Sequence, residues 1–197
     1  MPKVVDHEER RAELAAAVWR LASRDGLEAV TVRRVAEEAG WSTGAVVHYF
    51  SDKEALLLFA FGTVANRVQG RLSEAAEQIT EPLALARAWL LEGLPVDAER
   101  QAEVRVWFAF LGLALTRPAF ARAQRLTYRA WRGRVADLLR EAQQRGEVRA
   151  DVDCAAEAAA LVALVDGLAV QATFEPRALS ARRQTELVDA HLDALRA

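Results

Sequence analysis

"GWSTGAVVHYFSDKEALL", Gly40 to Leu57, decides how the rest of the chain is read. Its surroundings are rich in Leu, Ala, Glu and Arg, yet Ser42, Thr43, Gly44 and Ala45 leave the start of a helix almost bare. A helix built only for packing would carry Leu or Met there. Small residues instead let another molecule approach the free amides, where the positive end of the helix dipole favours phosphate. Upstream, Thr31 is placed to cap a short helix in which Val32, Val35, Ala36 and Ala39 face inward. Gly40 stands where a left-handed turn closes that helix, and Ser42 caps the next, which runs to about His48. Ala36 is small where the two helices cross, and Val46 and Phe50 are anchors toward Leu14 and Val18 of a preceding helix that Asp25-Gly26 ends. Two short helices joined by a tight turn match the helix-turn-helix of DNA readers. The outward face is then Ser42, Thr43, Gly44, Val47 and His48.

Helix restarts at Ser51 or Asp52, with Glu54 three residues after Ser51, the spacing of a capping box. Three-and-four apolar spacing then predicts helices over 52–78, 82–93, 100–116, 119–145, 153–174 and 179–195. Pro82, Pro95, Pro118 and Pro176 lie at or near the breaks, Gly146 marks another stop, and only the connection 145–152 is long. The expected fold is all-α, with about nine helices. A boundary falls near residue 52, with a three-helix helix-turn-helix domain over 1–52 and a larger domain of long helices over 53–197.

Composition narrows the class. The chain has 197 residues, 52% hydrophobic and 27% charged, with a formal net charge of −2, so any nucleic-acid contact must be local. One cysteine, Cys154, cannot form an internal disulfide, and His7, His48 and His191 are too far apart for a metal-ligand spacing. No metal or cofactor is therefore expected. The opening "MPKVVDHEERRAEL" has no apolar signal-peptide core, and no run was expected to reach the ~18 apolar residues of a membrane span. A soluble cytoplasmic protein follows from that reading. Against an enzyme, the sequence shows no phosphate-binding Walker loop, no dinucleotide glycine fingerprint, no zinc spacing and no nucleophile elbow. A helical interaction module that never meets DNA is the other competing class.

"TVRRVAEEAGWSTGAVVHYFSDKEALL" resembles the DNA-binding signature of the TetR/AcrR repressor family, and "STGAVVHYFSDKEALL" is similar to its BetI-type branch. The likeness covers residues 10 to about 57; "ALVALVDGLAVQATFEPRALS" and "LVDAHLDAL" also look like the last two helices of BetI-like members. The resemblance implies a ligand-responsive repressor acting as a homodimer on a palindromic double-stranded operator. It implies that Thr31 and Arg33 touch the phosphate backbone, that Ser42, Thr43, Gly44, Val47 and His48 line the major groove, and that Tyr49 and Lys53 clamp phosphates at its edge. Val47 stands where many members carry tyrosine, and Thr43 where lysine is common. The BetI likeness gives one pointer to the effector, a choline-related molecule, although pockets diverge while folds persist.

Residues 1–56 hold eight Lys/Arg against ten Asp/Glu, so the cations must be segregated. Lys3, Arg33, Arg34 and Lys53 are expected toward DNA and Glu37-Glu38 away from it, with Arg33 partly neutralised by Glu37 one turn on. Of the later aromatics, Trp89, Trp107, Phe110 and Trp131, with Leu111, suit the wall of a pocket for an apolar or cationic effector. Asp166 interrupts "LVALVDGLAV" and needs a partner, either an arginine or cap within the bundle or a ligand. His7 and His191 read as solvated. The last two helices carry apolar residues around much of their girth. Leu161, Val165, Leu168, Leu187 and Leu192 are therefore candidate dimer contacts, with Gly167 allowing close approach.

Overall fold

The computed structural model describes residues 7–197, with side chains from Glu9 onward. Within that range the chain forms nine α-helices, and no strand beyond an isolated bridge between Val148 and Arg196. They are α1 (His7–Asp25), α2 (Val32–Ala39), α3 (Thr43–Tyr49), α4 (Lys53–Gln78), α5 (Pro82–Leu91), α6 (Ala98–Ala114), α7 (Pro118–Gln144), α8 (Cys154–Phe174) and α9 (Ala181–Asp193). A single 3-10 turn, Leu27–Ala29, links α1 to α2. Each expected helix is present, with ends shifted by one or two residues. Lys3 lies outside the described residues, as does the side chain of His7.

Local chemistry sets the boundaries. The Thr31 hydroxyl accepts from the Arg34 amide at 3.3 Å and opens α2, and Gly40 ends it with φ of 71°. Ser42 accepts from the Ala45 amide at 3.2 Å to start α3. The start of α4 departs from expectation. Asp52, not Ser51, is the cap, accepting from the Ala55 amide at 2.8 Å, while the Ser51 hydroxyl donates back to Asp52. The charged acceptor wins because it satisfies the orphan amide more strongly than a hydroxyl and matches the helix dipole. Those bonds hold the Asp52 carboxyl below its ordinary value. Pro82 and Pro118 each occupy a helix start, where a missing amide hydrogen costs nothing.

Two cores result. The first gathers Leu14, Val18 and Leu21 of α1 with Val35, Ala36, Val46 and Phe50, then Leu56, Ala60 and Phe61 of α4, and Val106, Phe110 and Phe120 at the facing ends of α6 and α7. Val46 and Phe50 thus meet the receivers expected for them. The second holds Leu90, Val135, Leu139, Leu161, Val165, Val188 and Leu192, from α5, α7, α8 and α9, with Leu94 from the connection after α5. α4 runs from the first core toward the second and is the long strut between them.

α8 corrects two expectations. By length and composition it is apolar enough to cross a membrane, with mean hydropathy 1.6, although no such run was anticipated. It is a core helix here, packed on α5, α7 and α9. The five residues expected at a dimer seam face that core instead: Leu161, Val165, Leu168 and Leu192 are buried within the protomer and Leu187 is half-buried against it. The open side of α8 carries Ala156, Ala159, Ala160, Ala163, Val170 and Phe174, with Phe174 79% exposed. Gly167 is half-buried, and nothing stands within 4 Å of where its side chain would begin. An all-round apolar helix gives no sequence signal for which side its own protomer claims.

Candidate functional site

The reading tip is built outward from a buried footing. Val46 is fully buried, which fixes the roll of α3 and turns Ser42, Thr43, Gly44, Val47 and His48 to solvent; Val47, an apolar residue, is 52% exposed. Nothing lies within 4 Å of where a Gly44 side chain would begin. Trp41 braces the turn: its indole Nε1 donates to Glu13 at 3.2 Å, and its ring lies 5.4 Å from the Arg10 guanidinium and 5.7 Å from Tyr49. The sequence reading passed over Trp41, because an aromatic in a turn carries no periodic signal.

Charge around the tip is less free than expected. Arg33 is exposed but donates to Glu37 at 2.9 Å, as the one-turn spacing implied. Arg34 is partly exposed, but its guanidinium is bonded to Asp25 at the end of α1 and so is not free for phosphate. Glu38 is held inward by Arg20 at 2.7 Å and Arg24 at 3.2 Å, so this acid is indeed turned from the tip. Lys53 is exposed and makes no ion pair among the described residues.

The second site is a cavity of about 240 Å³ between α4, α5, α6, α7 and α8. Trp89, Trp107 and Trp131 supply three indole walls, Val64, Val68 and Leu72 of α4 a fourth, and Asp166 reaches it from α8. Two of the expected lining residues do not reach it. Phe110 is fully buried in the first core, stacked on Phe61 at 3.7 Å between ring centres, and Leu111 lies one turn beyond Trp107 outside the cavity wall. Periodicity could not separate them, since core and cavity wall lie along one apolar stripe of α6. Asp166 finds neither an arginine bond nor a cap. Its polar neighbour is the Tyr128 hydroxyl, and burial pushes its carboxyl above the ordinary range against the opposing influence of that hydroxyl and the field of Arg132. Burial and Asp166 in turn raise the Tyr128 phenol, so it stays protonated as a donor.

One cavity wall is ionic. Glu92 and Glu103 line it, and Arg71 of α4 grips both, Glu103 through two bonds of 3.0 and 2.5 Å and Glu92 at 2.8 Å. Arg100 also bonds Glu92, and Arg67 bonds Glu99, so three guanidinium groups meet Glu92, Asp97, Glu99 and Glu103. Isolated carboxylates at this depth would be costly, and the arginines offset that cost. Asp166 is the cavity carboxylate without an arginine bonded to it. None of this network was visible in the sequence, because its members come from α4, α6 and the connection that precedes α6. Elsewhere, His191 is not merely solvated but lies 3.1 Å from Glu157, and Cys154 is buried. Among the described residues no group of three or more His, Cys, Asp or Glu is placed to hold a metal ion.

Comparison with known proteins matches both halves. Residues 14–59 fit the model of bacterial regulatory proteins of the tetR family, and residues 82–197 fit that of the C-terminal part of BetI-type transcriptional repressors. The HTH-type transcriptional regulator PksA of Bacillus subtilis is 35% identical, over 99% of this chain and 94% of its own. The regulator BetI of Paraburkholderia phymatum is 29% identical, over 99% and 97%. Among solved structures, a transcriptional regulator from Rhodococcus sp. Rha1 is 32% identical with a TM-score of 0.79, covering 94% of this chain and 95% of that one. A putative regulator from Saccharomonospora viridis in complex with choline shares the fold at a TM-score of 0.84 and 24% identity, covering 94% and 96%.

Proposed function

This chain belongs to the tetR family of bacterial regulatory proteins, with a BetI-type C-terminal domain, and from that membership we propose that it is a homodimeric, effector-released repressor of transcription in the cytoplasm. Residues up to about 52 read DNA; 53–197 dimerise and hold the effector. Thr31 and Arg33 meet phosphates, Ser42, Thr43, Gly44, Val47 and His48 enter the major groove, and Tyr49 and Lys53 hold its edge. Val47 packs against a thymine methyl, an apolar contact open to its branched side chain. The observation that carries this reading is the bare, open tip of α3 standing on the fully buried Val46. An exposed helix start with small side chains and an outward-facing Val47, set on a buried footing, is suited to contact another molecule.

Dimerisation uses the open face of α8, where small side chains allow two copies to pack closely. Two tips about one duplex turn apart then require a palindromic site. The effector is an organic cation with an apolar body. Three indoles offer cation–π faces, and Asp166 offers a carboxylate with no arginine bonded to it. The choline complex of the Saccharomonospora viridis regulator supports that class. Effector binding favours a state in which α4 holds the two tips at the wrong spacing, which requires different effector affinities in the two states.

Selection of duplexes from a random pool by the purified protein tests the reading, followed by gel retardation across a salt series. The expected outcome is a palindrome with half-sites about one turn apart, released by choline and by longer-chained quaternary amines. Failure of the folded protein to enrich any duplex at low salt would favour the interaction-module alternative.

A further inference from the structure

The cavity and the DNA-reading helices share one side chain. Arg67 of α4 places its guanidinium carbon 4.7 Å from the centre of the Trp19 ring on α1. The same guanidinium is bonded to Glu99 and stands 3.6 Å from Glu103 on α6. Glu103 is 4% exposed and lines the cavity. Arg67 itself does not line the cavity, and its side chain is 40% exposed. It touches an α1 ring on one side and the cavity's acidic wall on the other. Arg71 and Arg100, the other cations of the cluster, reach carboxylates of the effector half but no ring of α1.

We propose that Arg67 is a positioning residue that couples occupancy of the cavity to the seating of α1. The inference rests on the reading that the cavity holds the effector. A guanidinium over an indole is held modestly at a half-exposed site, so its placement depends on nearby carboxylates. A ligand group that draws Glu103 toward the cavity removes part of the charge that keeps Arg67 over Trp19, and the guanidinium shifts toward water. α1 remains attached through its apolar packing on α4 and α6 but loses the contact that fixes its angle. The coupling is thus carried by two arrangements of one side chain, which both sites bias.

The first form of the test needs neither effector nor DNA. The protein is labelled with 5-fluorotryptophan, and each resonance is assigned by replacing one tryptophan at a time with phenylalanine. Glu103→Gln stands in for a carboxylate neutralised by a ligand, and it is expected to shift the Trp19 resonance. In an Arg67→Ala background the same change leaves that resonance in place, and Arg67→Lys restores part of the response. Glu103→Gln also strips Arg71 of its two-bond partner; if that variant does not fold, titrating the labelled protein with choline, with and without Arg67, replaces it, and equal Trp19 shifts again overturn the proposal. With the selected duplex, neutralisation is expected to change the dissociation constant roughly fivefold or more when Arg67 is present. With Ala at that position the change falls below about twofold, the scatter of independent sites. Equal fluorine shifts with and without Arg67 overturn the proposal. That result is independent of whether any duplex is ever selected, so it fails separately from the regulator reading.

Discussion

Gly93 shows how closely one residue can govern the cavity. A side-chain carbon there would stand 2.7 Å from both Trp131 and Val165, closer than carbon atoms approach. Gly93→Ala is expected to drive the Trp131 indole into the cavity, costing about 1–3 kcal/mol of stability by overpacking. It should also weaken choline binding; thermal unfolding and calorimetric titration read the two effects. Asp166 makes a pH prediction. Its carboxyl is raised in the folded chain, so the stability it contributes is present below the ordinary carboxylate value and is lost as pH rises through its folded value. Asp166→Asn therefore leaves the free protein as stable or more stable at neutral pH. A bound cation favours the ionised form, so choline affinity should rise with pH above the ordinary carboxylate range, with proton release. Titrations in buffers of different ionisation enthalpy detect that release, and Asp166→Asn abolishes it. Affinity independent of pH would separate the ligand from Asp166.

At the scale of elements, α8 presents two apolar sides with different owners. Ala163→Glu on the open side should leave the protomer folded and convert the dimer to monomer, as sedimentation would show. Leu161→Glu should unfold it, because a carboxylate would be buried without a partner. A dimer retained by Ala163→Glu would move the interface elsewhere, and a monomeric parent protein would overturn the dimer itself. The helices were legible in sequence because caps and breakers are local: Thr31, Gly40, Ser42 and Pro118 each act within a turn of where they stand. Facing was legible only for amphipathic helices. α8 is apolar all round, so Leu161, Val165, Leu168 and Leu192 looked as available as Ala159 or Ala163, and only packing distinguishes them. Trp89, Trp107, Trp131 and Asp166 were found as cavity residues because bulky aromatics and a carboxylate in an apolar run are anomalies. Glu92, Glu103, Arg67 and Arg71 were not, since surface-like charges acquire their role from neighbours distant in sequence.

For the whole molecule, the field matters more than any single cation. Net charge is −2, and near the tip several arginines are already committed: Arg33 to Glu37, Arg34 to Asp25, Arg20 and Arg24 to Glu38. Few phosphates can then be neutralised per protomer, so the operator affinity should fall only gently with salt. Glu37→Gln releases Arg33 at an exposed position and is expected to tighten binding while steepening the slope of log K against log salt by up to about one unit per protomer. Retardation assays from low to moderate salt measure both. An unchanged slope would mean that Arg33 does not reach the backbone.

The chain's single sulfhydryl, on Cys154, is shielded inside the fold. The exterior is accordingly free of native thiols that could take a maleimide or nitroxide reagent. One cysteine introduced at the exposed Glu28 would carry one spin label per subunit without a cysteine-free background having to be built first. Pulsed electron resonance between the two labels of an assembled pair would then give the head-to-head distance in solution, as a ruler that can be read before and after a small molecule is added.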